Sequence, residues 1–181
     1  MGSNFYQQIE AVSDSHPPVE LWDPPLSGEM DCLIKRDGSW WIDGSKLEND
    51  RLLRLFSTVL KREENNYYLI TPVEKWQIQV EDLPFMVVEI EVTNKGTSEQ
   101  SINVRTNVGD RITIDNEHPV NTSPIDGQQD KQLIPYVQIR SRLMARFNRS
   151  TYLEIADLLQ ALPDTNQYSL LSANTKFSLS F

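Results

Sequence analysis

The side chains that could do chemistry in this sequence are scattered carboxylates, a few clustered cations and very few metal ligands. Two pairs, Glu74-Lys75 and Glu81-Asp82, could supply carboxylates for acid/base work. That role depends on the separation and burial of the carboxylates, so solvated strand ends are the plainer interpretation. The carboxylates of these two pairs therefore do not by themselves predict an enzyme.

The sequence offers few residues that could form a metal site or act as a catalytic nucleophile. His16, Cys32 and His118 lie far apart in sequence, whereas a zinc site needs three or four ligands at characteristic spacing. Cys32 lies on a strand with alternating apolar residues, which favours a buried, inert thiol. The sequence contains no glycine-rich phosphate loop and no nucleophile elbow. We predict no metal and no cofactor.

A basic segment interrupts an otherwise acidic chain of net charge −9. From Lys131 through Leu153 there are five bases and no acid. Tyr136, Gln138 and Arg140 share one face of a predicted strand in this segment. A guanidinium beside an aromatic ring could hold a phosphate while a base stacks on the ring. The alternative is that these arginines neutralise the acidic first half of the chain.

Arg105, Asn107 and Asp110 cluster at a predicted strand end and turn, where functional sites often lie. Asn and Asp also bond their own backbone in such turns, and Arg105 could simply pair with an acid. From the residues alone, turn chemistry is the plainer interpretation.

Composition limits the class of protein. The 181 residues suit one domain or two small ones, and 39% apolar residues can bury a core. Without a long apolar run, a secretory signal or a second cysteine, we expect a cytoplasmic protein with no membrane partner. Global acidity argues against nonspecific binding of nucleic acid.

The apolar pattern predicts an α+β protein with antiparallel sheets and one main helix in each half. Residues 1–29 contain four prolines and predict an extended arm, anchored by Val19, Leu21 and Trp22. Residues 30–84 form the N-terminal half, with a hairpin at 30–42 and a helix at 50–62. Residues 85–181 form a strand-rich C-terminal half with a polar loop at 120–132. Thr151 and Glu154 predict a capping box for its helix at about 151–162.

One spacing hints at duplication. Thr71 to Pro84 spans the same number of positions as Thr106 to Pro119. The apolar alternation between these marks is out of phase, so a true repeat would require a bulge. The residues alone therefore give only weak support to a repeat.

Five strings in the chain resemble motifs of an uncharacterised bacterial family, the domain of unknown function 1285. They are HPPVELWDPP (16–25), TPVEK (71–75), VEDLPF (80–85), RTNVGD (105–110) and EHP (117–119). The resemblance runs from about His16 to Leu159. It implies a duplicated architecture whose C-terminal half is similar to a pleckstrin-homology fold. It also implies a ligand site between the halves for a nucleotide-like molecule in signalling.

Three classes of function remain, ranked in order. The first is a non-catalytic regulatory module that binds a small anionic, nucleotide-like ligand. The second is a protein-interaction domain without a small ligand, and the third is an enzyme that uses carboxylates and His118. Oligomeric state is left open. With the family motifs taken into account, the candidate ligand-binding residues are Glu74, Lys75, Arg105, Asn107, Asp110, His118, Tyr136 and Arg140.

Overall fold

The chain folds as two units, residues 1–82 and 83–181. The computed structural model describes residues 3–12, 17–122, 134–163 and 165–180. None of the described helices is long and apolar enough to cross a membrane. Each unit contains a six-stranded sheet.

The first unit places two three-stranded meanders side by side in the sheet order β3-β2-β1-β6-β5-β4. Neighbouring strands are antiparallel except β1 and β6, which run parallel in the centre. Its elements are α1 (Ser3–Val12), a 3-10 turn (Val19–Leu21), β1 (Leu26–Ile34), β2 (Trp40–Ile42), β3 (Ser45–Lys46), α2 (Asp50–Thr58), β4 (Leu60–Glu63), β5 (Asn66–Ile70) and β6 (Lys75–Val80).

The second unit has the sheet order β10-β11-β12-β7-β8-β9, with β7 and β12 parallel in the centre. A helix and a three-stranded sheet follow the six strands. Its elements are β7 (Phe85–Thr93), β8 (Ser101–Thr106), β9 (Arg111–Thr113), β10 (Val120–Asn121), β11 (Tyr136–Arg140), β12 (Leu143–Phe147), α3 (Arg149–Ala156), β13 (Gln160–Ala161), β14 (Gln167–Ser172) and β15 (Thr175–Ser180).

The two sheets share one connectivity. In each, the first and last of six successive strands lie side by side in parallel, and a meander extends outward from each of them. The predicted α+β class with two related halves is confirmed. The sheets are mixed rather than purely antiparallel, because the chain returns its last strand beside the first in the same direction. The Thr71 and Thr106 spacing is not this repeat, since Thr71 precedes a sixth strand and Thr106 ends a second strand.

The core of the first unit is built on Trp40, Phe56 and Leu69, each at most 1% exposed. Helix α2 is capped by Asn49, whose Oδ1 accepts from the Leu52 amide at 3.1 Å. The helix ends at Thr58 rather than at 62 as predicted. The last predicted turn instead forms β4, because its pairing with β5 outweighs helix periodicity.

The predicted arm over 1–29 is largely structured. Helix α1 buries Phe5 and Ile9, which are spaced four residues apart and therefore share a face. Val19 is buried as expected, whereas Leu21 is 82% exposed and is not an anchor. The Trp22 carbonyl accepts from Lys61 Nζ at 2.9 Å, so a hydrogen bond from a side chain to the backbone ties this segment to β4.

Alternation correctly predicts the strand faces of the second unit. Val137 and Ile139 of β11 are buried, while Tyr136 and Arg140 lie on the other face. Helix α3 begins two residues earlier than predicted and ends at Ala156, with Asn148 as its cap. The predicted capping box is wrong because the Thr151 hydroxyl is buried and donates to the Val87 carbonyl at 3.2 Å. Most of the predicted polar loop, residues 123–132, lies outside the described residues.

Candidate functional site

The turn between β8 and β9 is held by its own backbone and by Asn107. The Thr106 amide donates to the Asp110 carbonyl at 2.9 Å, and Gly109 takes φ 92°, which favours glycine. The Asn107 amide donates to the Met86 carbonyl at 2.8 Å, and its Oδ1 accepts from the Met86 amide at 2.9 Å. Asn107 therefore joins the turn to β7 through a side-chain contact with a neighbouring strand, whereas the turn-chemistry interpretation expected a bond to the turn's own backbone.

Asp110 and Arg140 form an ion pair within the second unit. Their side chains are only 12% and 19% exposed, and the Arg140 guanidinium also lies 5.0 Å from the centre of the Phe85 ring. Arg140 shares a face with Tyr136 as predicted. The Arg140 guanidinium pairs with Asp110 of its own half, so we first assign this arginine a structural role.

The other bases of the basic segment do not converge with Arg140 into one described cluster. The Arg146 guanidinium donates to the Ile134 carbonyl at 3.1 Å, while Arg142 and Arg149 are exposed. Lys131 lies outside the described residues. The segment is therefore a set of separate surface and structural contacts.

His118 belongs to a turn closed by Asp115. The Asp115 Oδ1 accepts from the His118 amide at 2.9 Å and lies 3.0 Å from its ring Nδ1. Burial alone would raise the pKa of Asp115, but the hydrogen bonds from His118 and from the Glu117 amide lower it. These contacts give His118 a local structural role.

Glu74 and Lys75 lie in the first unit at the start of β6. Glu74 Oε2 accepts from Trp76 Nε1 at 3.2 Å. Lys75 Nζ lies 3.0 Å from Glu63, whose other oxygen lies 3.2 Å from Lys61 Nζ. Burial would raise the pKa of Glu63, but the hydrogen bonds and charges of both lysines lower it. We call this set the lysine cluster (Lys61, Glu63, Lys75).

Cys32 is buried, as the strand pattern predicts. Burial, with a smaller contribution from the charges of Asp31 and Asp43, raises the pKa of its thiol to about 12. The thiol therefore stays protonated and is a poor nucleophile. Among residues 3–12, 17–122, 134–163 and 165–180, no group of three His, Cys, Asp or Glu side chains could hold a metal ion.

An open pocket of about 250 Å³ lies on the outer face of β7, β8 and β9. Its polar side chains form two rows, because residues in register across strands share a face. We call it the Arg111 pocket. The first row is Glu89, Arg105 and Arg111, and the second is Glu91, Asn103 and Thr113.

The first row sets two arginines directly opposite one another with one carboxylate beside them. Arg105 Nε donates to Glu89, and this hydrogen bond lowers the pKa of Glu89, as do the charges of Arg105 and Arg111. Within the part of the chain that the structure describes, Arg111 makes no ion pair. Like charges in register repel, so a bound anion would relieve the pair.

Arg105 is the one predicted site residue that lines this pocket. The sequence signal for Arg111 was present. Arg105 and Arg111 flank the five residues TNVGD (106–110) symmetrically, and a hairpin brings such flanking residues into register. Glu89 and Glu91 alternate with apolar residues along their strand, and that alternation cannot show which residues stand opposite them.

The repeated connectivity defines a two-unit α+β protein, and the described residues of its second unit include an open charged pocket on one face of the sheet. Models of the DUF1285 family, a domain of unknown function, match this chain in both parts. The N-terminal domain matches residues 17–83 and the C-terminal domain residues 84–179. The chain belongs to this family, and no curated protein matches it.

Two solved structures support the assignment. A DUF1285 family protein from Silicibacter pomeroyi DSS-3 is 33% identical with a TM-score of 0.85, covering 99% of this chain and 96% of that one. A DUF1285 family protein from Shewanella baltica OS155 is 26% identical with a TM-score of 0.53, covering 71% of this chain and 91% of that one.

Proposed function

We propose that this chain is a non-catalytic regulatory module that binds a small anionic ligand, such as a nucleotide-like molecule, and acts in signalling. The observation that carries the proposal is the in-register pair Arg105 and Arg111 with a single hydrogen-bonded carboxylate. Among the described residues Arg111 makes no ion pair and, with Glu91 in the other row, the row of Glu89, Arg105 and Arg111 by itself carries one excess positive charge. Bidentate binding of a phosphate or carboxylate would balance it.

The pocket also offers neutral hydrogen-bonding groups. The Thr113 hydroxyl donates to Asn103 Oδ1 at 2.7 Å, which orients the amide within the second row. A nucleotide could place its phosphate on Arg111 and direct base N–H groups toward the carboxylate of Glu91. The pocket belongs to the second unit alone, and a ligand site between the halves stays a prediction.

Regulation would follow from mass action. A ligand that bridges β7, β8 and the three-residue strand β9 stabilises the folded state by RT ln(1 + L/Kd), where L is the free ligand concentration. Anion binding at an open site depends on screening, so affinity should fall as salt rises.

The test is a titration of the full chain with inorganic phosphate and with adenosine monophosphate, followed by amide NMR shifts. We expect shifts in β8 and β9 that Arg111→Gln removes. Arg142→Gln is the matched control, because it makes the same charge change at an exposed turn residue outside the pocket. Shifts that persist unchanged in Arg111→Gln, or no shifts with either anion, would overturn the proposal.

A protein-interaction domain is the second candidate, and one observation favours it. Leu21, Leu26 and Val73 of the first unit are 82%, 55% and 62% exposed. Exposed apolar side chains are a feature of interaction surfaces. Replacing Leu21 and Val73 with Ser would weaken retention of a partner while leaving anion binding unchanged.

A further inference from the structure

We infer, building on the proposed function, that the ligand of the Arg111 pocket is a zwitterion: an anionic group meets Arg111 and a cationic amine meets Glu91. The charges of the pocket are sorted across the sheet. Both carboxylates are on β7, and Arg111, which makes no ion pair among the described residues, is two strands away on β9. A ligand with one charge would therefore be attracted at one side of the pocket and repelled at the other.

The pairing within the rows decides which charged side chains are left without an ion pair among the described residues. Glu89 is engaged by Arg105, which leaves Glu91 and Arg111 at opposite corners of the face. The row of Glu91 contains only Asn103 and Thr113, so no cation stands in register with it. Within the described ranges neither Glu91 nor Arg111 has an ion pair.

Geometry sets the size of the ligand. Neighbouring strands are about 4.8 Å apart, so β7 and β9 are separated by roughly 10 Å. Glu91 and Arg111 also lie in different rows, so their backbone positions are further apart than the two strands are, which favours opposite charges held several bonds apart in the ligand. An α-amino acid with an apolar side chain is too short to reach both corners, whereas an ω-amino acid or an amine-bearing phosphate ester is long enough.

A matched probe set tests the inference by amide NMR titration of the full chain. ε-Aminocaproate carries both charges, while hexanoate and hexylamine of the same chain length carry one each. We expect ε-aminocaproate to bind more tightly than either, with shifts in β7, β8 and β9. γ-Aminobutyrate should bind more weakly because it is shorter.

The variant Glu91→Gln should change the affinities for a zwitterion and for a simple anion in opposite directions. For a zwitterion it removes an attraction, and we expect ε-aminocaproate affinity to fall by about two- to fivefold, the range of an exposed ion pair. For hexanoate it removes a repulsion, so affinity should rise. Glu99→Gln makes the same charge change in an exposed loop of this unit and should alter neither.

The outcomes separate this inference from the proposed function. If hexanoate and phosphate bind through Arg111 and ε-aminocaproate binds no better, the anion site stands and the zwitterion inference is wrong. Tighter binding of ε-aminocaproate to Glu91→Gln would also overturn it. If no probe binds in an Arg111-dependent manner, the proposed function itself fails.

Discussion

Each unit of this protein contains a set of two cations and one glutamate, and the two sets differ in how they are closed. In the lysine cluster Glu63 contacts both Lys61 and Lys75, whose side chains are only 10% and 13% exposed. Lys61 also donates to the Trp22 carbonyl. Every described charge there has a partner, so the set stabilises the first unit.

The set in the Arg111 pocket is open. Glu89 contacts one of its two arginines, and the side chains of Glu89 and Arg105 are 51% and 37% exposed. Two sets with the same kinds of charge, two cations and one glutamate, therefore differ in their role. Burial with complete pairing makes an internal contact, whereas exposure with incomplete pairing leaves a guanidinium available to a ligand.

The largest expected effect is the loss of the buried pairing in the first unit. Glu63→Gln takes the nearer carboxylate from two mostly buried ammonium groups and leaves Lys75 with the exposed Asp23 at 3.8 Å, and we expect the free energy of unfolding to fall by about 2–3 kcal/mol. Urea denaturation of the full chain measures it. Glu89→Gln is the matched change in the open set and should have little effect. Equal losses in both variants would erase the distinction between the two sets.

A smaller effect is expected at Asp110, which fixes Arg140 beside the pocket strands. Asp110→Asn removes the carboxylate from a partly buried guanidinium and should cost about 1–2 kcal/mol, with Glu117→Gln as an exposed control. Phosphate binding should still depend on Arg111. If Arg140→Ala weakens phosphate binding as much as Arg111→Gln does, Arg140 is a ligand-binding residue after all.

Acid should loosen the first unit through Glu63. The folded-state pKa of Glu63 lies below its ordinary value of 4.5, so its stabilising contribution is complete above that pH. That contribution is lost as the pH falls through the lowered folded-state pKa. We expect the stability of Glu63→Gln to fall less steeply below about pH 4.5 than that of the wild type. If the urea midpoints of the wild type and the variant fall in parallel as the pH drops, protonation of Glu63 has no effect on stability.

The strands and their faces could be predicted because apolar alternation is a local signal. Val137 and Ile139 pointed inward as expected, and the Asp37-Gly38 turn set the first hairpin. Element ends were predicted less well. Leu60 and Lys61 continue the helical period but pair with β5, and that pairing depends on residues distant in sequence.

The candidate site was only partly predictable for the same reason. Arg105 was singled out by its place beside a turn, but Glu89 and Arg111 became its neighbours through strand register. The parallel centre of each sheet also depends on non-local pairing. Asp110 and Arg140 are thirty positions apart, so the sequence offered each of them as a possible ligand contact rather than as partners.

The smallest effect tests the central claim most directly: that Arg105 and Arg111 form an unbalanced pair which an anion completes. The measurement is the melting temperature of wild type and Arg111→Gln with and without phosphate. Without phosphate we expect the variant to melt slightly higher, because repulsion between guanidinium groups in register is removed. With phosphate we expect the wild type to gain stability and the variant to gain none. A variant that melts lower without phosphate and still gains stability with it would contradict the claim.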